Sequence, residues 1–384
     1  MPSTDQIGRA SEGASSTAAG REVGAGVPRV FPCGGCGANL EFSIEMQSLA
    51  CPYCGHVEQL EIESDARVAE RDYRDALRRI AERRTPNDSR IEGVRQVRCA
   101  DCGADVRFTG TLTSDECPYC GAAIQLADVH DAEDRIRVDG VLPFQLDHDV
   151  ARRNLGAWIR SRWFAPNEFR RRGIDGRFNG VYLPFWTFDA LTSNVYRGER
   201  GDHYWVEVRR GDKTTRVRRT SWHPASGSFR RFFDDVLVLA ARGMPRELVG
   251  RLDPWPTERC IPFTPQVLAG KLARTYDLGL EDGFSEAEQR IEQALRQETR
   301  RRIGGDEQRI HSLVTHYGAM TYKHLLLPVW LLAYKYHDKT YQVAVNAATG
   351  EVQGDRPWSW IKIAFAVLAA AALGTAIWFV VQSR

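Results

Sequence analysis

No nucleotide-binding or hydrolase signature occurs anywhere in this 384-residue chain. There is no GxxxxGK[ST]: Gly270-Lys271 is followed by Leu272, without the glycine-rich loop that cradles phosphate. HExxH, GxSxG and a GxGxxG followed by an acidic residue are equally absent. Asp306-Glu307 has the look of a helicase acidic box, but it follows Arg302-Ile303-Gly304-Gly305 rather than an apolar strand. The nine histidines do not cluster in sequence. His203 and His223 fall in an aromatic strand region, and His311 and His316 flank an expected turn of helix, so all four read as polar surface or core residues. Residues 1–29 contain no apolar run long enough for a secretory signal and are rich in Gly, Ala and Ser, which reads as a disordered tail. Net charge is only +2, so no single sign dominates the chain as a whole. These absences argue against an enzyme and leave one catalytic option, a site assembled from residues distant in sequence.

Eight of the nine cysteines form two copies of one pattern. Cys33-Gly34-Gly35-Cys36-Gly37 is answered by Cys51-Pro52-Tyr53-Cys54-Gly55, and Cys99-Ala100-Asp101-Cys102-Gly103 by Cys117-Pro118-Tyr119-Cys120-Gly121. Fourteen residues separate the CxxC pairs in each copy, and the second copy lies 66 residues after the first. The flanks repeat too, Gly37-Ala38-Asn39-Leu40-Glu41-Phe42 against Gly103-Ala104-Asp105-Val106-Arg107-Phe108. Two CxxC turns converging on one ion give tetrahedral S4 coordination, the geometry of structural zinc, and the following glycine suits the positive φ of such a turn. Thioredoxin-like redox use would not need four CxxC in register, disulfides are disfavoured without a secretory signal, and rubredoxin-type iron knuckles have a longer gap. The expectation is two zinc ions, one held by Cys33, Cys36, Cys51 and Cys54, the other by Cys99, Cys102, Cys117 and Cys120. A closed S4 site has no open position for catalysis, and a module of about 30 residues needs the metal to fold. Cys260, without a cysteine partner nearby, reads as a buried structural thiol.

Ile363 to Val381 is 19 residues without a charge, about 28 Å as a helix and close to a bilayer's hydrocarbon thickness. Trp358 and Trp360 mark one boundary and Trp378 the other, as in interfacial aromatic belts. The pattern predicts a single membrane-spanning helix over 359–382 rather than a buried core helix. Thiolates need a reducing compartment, which puts everything before residue 360 in the cytoplasm.

Between these ends the chain is expected to be α+β. Residues 30–62 and 96–128 are the two ribbons, with a spacer helix and linker over 63–95. The helical part, Asp65 to Arg84, has Tyr73, Ala76, Leu77 and Ile80 on one stripe. A larger α+β domain follows over 129–358, with an internal repeat of halves 139–232 and 258–355. Val141-Leu142-Pro143-Phe144 recurs as Cys260-Ile261-Pro262-Phe263, and Leu183-Pro184-Phe185-Trp186 as Leu327-Pro328-Val329-Trp330. Helices are expected over Val150 to Phe164, Gln266 to Leu278 and Ser285 to Ile303. Strand pairs are expected between Val181–Arg197 and Asp202–Arg210, and between Leu325–Tyr336 and Thr340–Val345, the latter closed by His337-Asp338-Lys339.

Residues 151–231 carry 18 Arg and Lys against 7 Asp and Glu, a local +11. Arg209, Arg210, Lys213, Arg216, Arg218 and Arg219 cluster around a polar hairpin tip at Gly211-Asp212, with Tyr204, Trp205 and Trp222 interleaved. Such a mixture can grip nucleic-acid phosphates while aromatics stack on bases, can face anionic lipid headgroups, or can be a solvated face over an aromatic core.

The double CxxCG…CPYCG, Pro184–Ala190 (PFWTFDA), Leu326–Tyr336 (LLPVWLLAYKY) and the terminal apolar helix together resemble a family of bacterial membrane-associated zinc-ribbon proteins. Its members carry names borrowed from the primosomal helicase or from general transcription-factor (TFIIB-type) ribbons. The resemblance covers the chain after residue 30 and implies a bacterial origin and two zinc sites, with no activity attached. The helicase name rests on knuckles like Cys51–Gly55 and Cys117–Gly121; lacking every nucleotide-binding motif, this chain does not inherit unwinding. The Tyr341–Val352 hairpin is also similar to a strand–turn–strand of small peptidase-inhibitory modules. Together these features predict a tail-anchored adaptor that brings a protein partner to the membrane, with a membrane-tethered nucleic-acid binder as the alternative.

Overall fold

The computed structural model describes residues 31–60, 67–82, 94–98, 105–109, 112–116, 123–125, 136–172, 178–211, 213–241, 246–336 and 339–382. The expected tail, the linker after residue 82, and the Asp212 and His337-Asp338 turn positions lie outside them.

Three very long strands make the framework: β10 (Phe178–Arg210), β11 (Lys213–Leu239) and β14 (Glu307–Tyr336). Shorter strands in chain order are β1 (Glu41–Ser43), β2 (Ser48–Ala50), β3 (Val57–Glu58), β4 (Arg71–Asp72), β5 (Val94–Arg98), β6 (Asp105–Thr109), β7 (Leu112–Glu116), β8 (Ala123–Gln125) and β9 (Gly140–Val141). After β11 come β12 (Ile261–Pro262), β13 (Leu272–Arg274), β15 (Lys339–Asn346) and β16 (Val352–Gly354). The helices are α1 (Tyr73–Glu82), α2 (His148–Ser161), α3 (Asn167–Arg172), α4 (Arg246–Val249), α5 (Leu280–Ile303) and α6 (Trp360–Gln382). The chain is thus a mixture of helix and sheet with an apolar C-terminal helix.

β10 lies between β11 and β14, antiparallel to both. The expected break between Arg197 and Asp202 does not occur: β10 runs straight through, and its partner is β11. β14 is likewise continuous through His311 and His316, which sit on a strand and not beside a helical turn. The expected pairing of Leu325–Tyr336 with the following strand is present, from Val329↔Asn346 to Tyr336↔Lys339. The two Leu-Pro tetrads face one another, with Leu183 opposite Leu327. The other pair of tetrads lies at one edge: β9 runs beside β14, β12 lies beyond β9, and the corresponding flank of β10 is taken by β13. The sheet order therefore gives the two expected halves no equivalent places for that pair.

α5 is longer than expected, starting at Leu280, and buries Leu280, Gly283, Ala287, Ile291, Leu295, Thr299 and Ile303, one three-residue step followed by four-residue steps. That stripe covers the β10 residues Ala190 and Tyr196 together with Phe229 and Phe233 of β11. Glu281 and Asp282 in its first turn and Arg300, Arg301 and Arg302 in its last complement the helix dipole. α2 begins two residues earlier than expected and is capped by Asp147, whose side chain accepts from the Val150 N–H. The expected helix from Gln266 to Leu278 is instead a short 3-10 turn, Pro265–Leu268, followed by β13. Gly270, at φ 71, and the preceding turn stop helix propagation. The spacer helix is real only over α1, because Arg71 and Asp72 pair with Tyr322 and Thr321 of β14 instead.

Candidate metal centre and basic hairpin

Cys33, Cys36, Cys51 and Cys54 converge, with their sulfurs all within 4.8 Å of one another. Cys33 Sγ lies 3.6 Å from Cys54 Sγ, and Cys36 Sγ lies 3.5 Å from Cys51 Sγ. Thiolates about 2.3 Å from one tetrahedral ion stand roughly 3.8 Å apart, so the four could hold one metal ion. Each knuckle is closed by its glycine: Gly37 N–H donates to Cys33 O and Gly55 N–H to Cys51 O, at φ 78 and 73, respectively. The Gly35 N–H donates to Cys33 Sγ at 3.3 Å. The Cys51 thiol is drawn down to about 6, first by the backbone N–H of Cys54. Cys54 moves the other way, to about 12; the His56 N–H pulls it down, but the adjoining thiols of Cys36, Cys33 and Cys51 outweigh that pull. The opposed shifts show the sulfurs sharing charge unequally: backbone donors favour the Cys51 thiolate, and the crowded neighbouring thiols disfavour that of Cys54.

This knuckle pair is docked on the main body. Phe42 joins the core of Phe144, Leu155 and Val267, its N–H donates to Ala269 O, and Gln47 Nε2 donates to Phe144 O at 2.8 Å. Tyr53, between the second pair of cysteines, is 79% exposed. Cys99, Cys102, Cys117 and Cys120 lie outside the described residues. Two of the first copy's pairings recur around them at the 66-residue offset, while among the described residues the β1–β2 pairing does not: β6 pairs with β5, and β7 with β8 and β13. Pro32↔Asn39 brackets the first knuckle, as Arg98↔Asp105 brackets residues 99–104. Ala50↔Val57 brackets the second knuckle, as Glu116↔Ala123 brackets residues 117–122. Cys260 is buried, and burial pushes its thiol up to about 12, as fits a structural thiol.

The basic cluster lies on a projecting hairpin. β14 ends opposite Gly201, and beyond it, among the described residues, β10 and β11 pair only with each other, from Asp202↔Ser221 to Arg210↔Lys213. This two-stranded finger is about 30 Å long. Register puts Trp205, Glu207 and Arg209 on one face with Arg218, Arg216 and Thr214, and puts Tyr204, Val206 and Val208 on the other with Arg219, Val217 and Thr215. Trp205 is 64% exposed. Arg216 is tied to Glu207 at 3.3 Å. At the finger's root, His203 Nε2 meets Glu307 Oε1 at 2.8 Å and Asp306 Oδ2 accepts from the His203 N–H. The His203 contact holds Glu307 below the usual carboxylate range. The Arg309 guanidinium stacks 3.7 Å above Trp222.

Sequence reasoning missed one cluster entirely. Asp189, Asp234 and Asp235 bring carboxylate oxygens together, and Lys323 Nζ lies 2.8 Å from Asp235 Oδ1, 3.6 Å from Asp189 Oδ2 and 3.5 Å from Glu70 Oε1. The lysine supplies the counter-charge that a metal would otherwise provide. Lys323 lies 253 residues from its partner Glu70, a separation no motif reveals. Trp358 and Trp360 flank the start of α6, which is long and apolar enough to cross a membrane, with mean hydropathy 2.3 and none of its window buried.

No family model matches this chain, and no solved structure matches it. It is 25% identical over 360 residues to a Bacillus subtilis (strain 168) protein described as "Uncharacterized protein YdjG", covering 87% of this chain and 92% of that one.

Proposed function

We propose that this protein is a tail-anchored zinc-ribbon adaptor that faces the cytoplasm and recruits a protein partner to the bacterial inner membrane. The observation that carries the reading is the union of two features on one body. An unburied apolar helix is hydrogen-bonded to a sheet domain on which a closed four-thiolate cluster is also docked. The chemistry of four thiolates selects zinc, and the repeated pairing around residues 99–122 supports a second ion at Cys99, Cys102, Cys117 and Cys120. A closed S4 site contributes folding energy and shape, so the ribbon acts by presenting surface, with Tyr53 outward beside the metal. Full-length protein should remain in the membrane after alkaline extraction, and the chain cut after residue 357 should be released. A partner cross-linked to intact cells' protein should be lost from the Tyr53→Ala variant or from the cut chain's membrane fraction. Equal capture by all three, or a hydrolase activity in the pure protein, would overturn the adaptor reading.

A second reading rests on the finger. A two-stranded ribbon fits the roughly 12 Å major groove of a nucleic-acid duplex, and Arg209, Arg216 and Arg218 share the Trp205 face. Contact of the same residues with anionic lipid is less well served by the geometry. Phe178, Leu332, Val343 and Gly354 align across four strands, and the ring of Trp158 near the end of α2 packs on Gly354. The anchor's seat is therefore at the Phe178 end of β10, about 100 Å of strand from the basic tip.

A further inference from the structure

The junction between body and anchor holds two arginines whose charge nothing described nearby answers. The loop after α2 folds against the first turn of α6: Ser359 N–H donates to Phe164 O at 2.8 Å. Lys362 Nζ donates to Trp163 O, Ala165 O and Asn167 Oδ1 at 3.2, 2.8 and 2.7 Å, so this lysine is committed to holding the loop. The loop is thereby fixed at the level of the helix's first turn, where a bilayer's headgroups begin. Trp163 and Trp360, 71% and 78% exposed, lie at this level, as interfacial indoles do.

Arg162 directly precedes Trp163, and Arg356 lies four residues before Trp360. Arg162 stacks on Trp158, with its guanidinium carbon 4.8 Å from the ring centroid, and Arg356 stacks on Trp358 at 4.3 Å. Among the described residues no carboxylate forms an ion pair with either, and Arg162 Nε is a buried nitrogen without a hydrogen-bond partner. The guanidiniums also sense one another: Arg356 is shifted below its ordinary value by partial burial and then by the Arg162 charge. Two like charges held by aromatic stacking, with a donor left over, lack an anion of the geometry that guanidinium prefers.

We propose that Arg162 and Arg356 form a binding site for the phosphate of an anionic phospholipid headgroup, with Trp163 and Trp360 seated at the glycerol level beside it. The site differs from the basic finger and rests on α6 being a membrane span. Arg162 and Arg356 grip phosphate oxygens, while Lys362, already satisfied by the loop, keeps the two elements in register. The lipid thus fixes how the body sits on the membrane.

The experiment uses the full-length protein, purified in detergent and titrated with phosphatidylglycerol or phosphatidylcholine, bound lipid being read by native mass spectrometry. Phosphatidylglycerol should bind in preference, and the Arg162→Gln, Arg356→Gln double variant should lose about 5-fold of that preference per arginine, as expected for basic groups near an anionic surface. Arg162→Lys with Arg356→Lys should retain most of the preference, which separates charge from folding. Equal binding of both lipids, or a preference that survives the double Gln change, would overturn the site. Displacement by inorganic phosphate or glycerol phosphate as readily as by phosphatidylglycerol would also overturn it, assigning the arginines to a soluble anion. Failure of the wild type to resist alkaline extraction from membranes would instead count against the span itself.

Discussion

Asp189 is 2% exposed, its Oδ1 accepts the Asp235 N–H at 2.6 Å and its Oδ2 accepts the Thr321 hydroxyl at 3.1 Å. Burial raises its carboxyl above the usual range, and the Asp235 N–H and the Lys323 charge hold that rise in check. Lys323 is raised in turn: burial opposes its charge, but contact with Asp235 more than offsets that cost. Replacing Lys323 by Met leaves a buried carboxylate unanswered and should destabilise the fold by about 3 kcal/mol at neutral pH. The sign of the pH dependence follows from the raised folded value. Such a carboxyl favours the fold when protonated, so its contribution is present below its unfolded value and is lost as pH climbs through the folded one. Lys323→Met moves that folded value further up, so the variant should lose less stability near pH 5 than near pH 7.5 in urea titrations. A loss equal at both values would show that Asp189 is not the group left exposed to the change.

At the scale of elements, the first knuckle pair is built into the body through Phe42 and Gln47, so metal loss has a reach beyond the cysteines. Cys51→Ser should release one ion and loosen β1 to β3, opening protease sites in 31–60 while α5 and the long strands stay protected. Retention of the full metal content would overturn the ligand assignment. The cysteine spacing made this element legible, because two turns and an ion fix a geometry with few alternatives. The apolar helix was legible for a similar reason, since 19 uncharged residues in a row match the length a membrane-crossing helix needs. β10 was not. Gly198 and Gly201 read as a turn between two strands, yet both serve close approach. A Cβ at Gly198 would stand 2.2 Å from Arg309 O, and one at Gly201 would stand 2.7 Å from Thr220 and 2.9 Å from Trp222. Glycine that makes room for a neighbouring strand looks, in sequence, like glycine that turns the chain. The expected helix after Gln266 failed for the opposite reason, because its apolar residues serve core contacts from a 3-10 turn and a short strand. The Asp189 and Arg162 clusters were illegible because their members meet only through tertiary pairing.

Across the whole molecule, the long sheet separates two regions of positive charge. Arg162 and Arg356 stand at the anchor, and Arg209, Arg216, Arg218 and Arg219 stand at the far end of β10 and β11. Among the described residues β11 is paired only on its β10 side, and Lys, Arg and Pro along it are the usual guards of an open edge. That protective role and a binding role predict different salt behaviour. If the finger grips a nucleic-acid backbone, reversing Arg216, Arg218 and Arg219 to Glu should abolish duplex binding at physiological salt. The single changes to Gln should each lower the salt slope by roughly one, one phosphate contact apiece. Metal content and membrane retention should be unchanged, since the first knuckle pair docks at Phe144 and Ala269 and the α2–α6 junction lies toward the Phe178 end of β10, both away from the finger. Wild-type protein that binds no duplex even at low salt would leave the arginines as guards of the β11 edge. In that case the reversal should be silent in binding and should show itself as altered self-association of the purified chain.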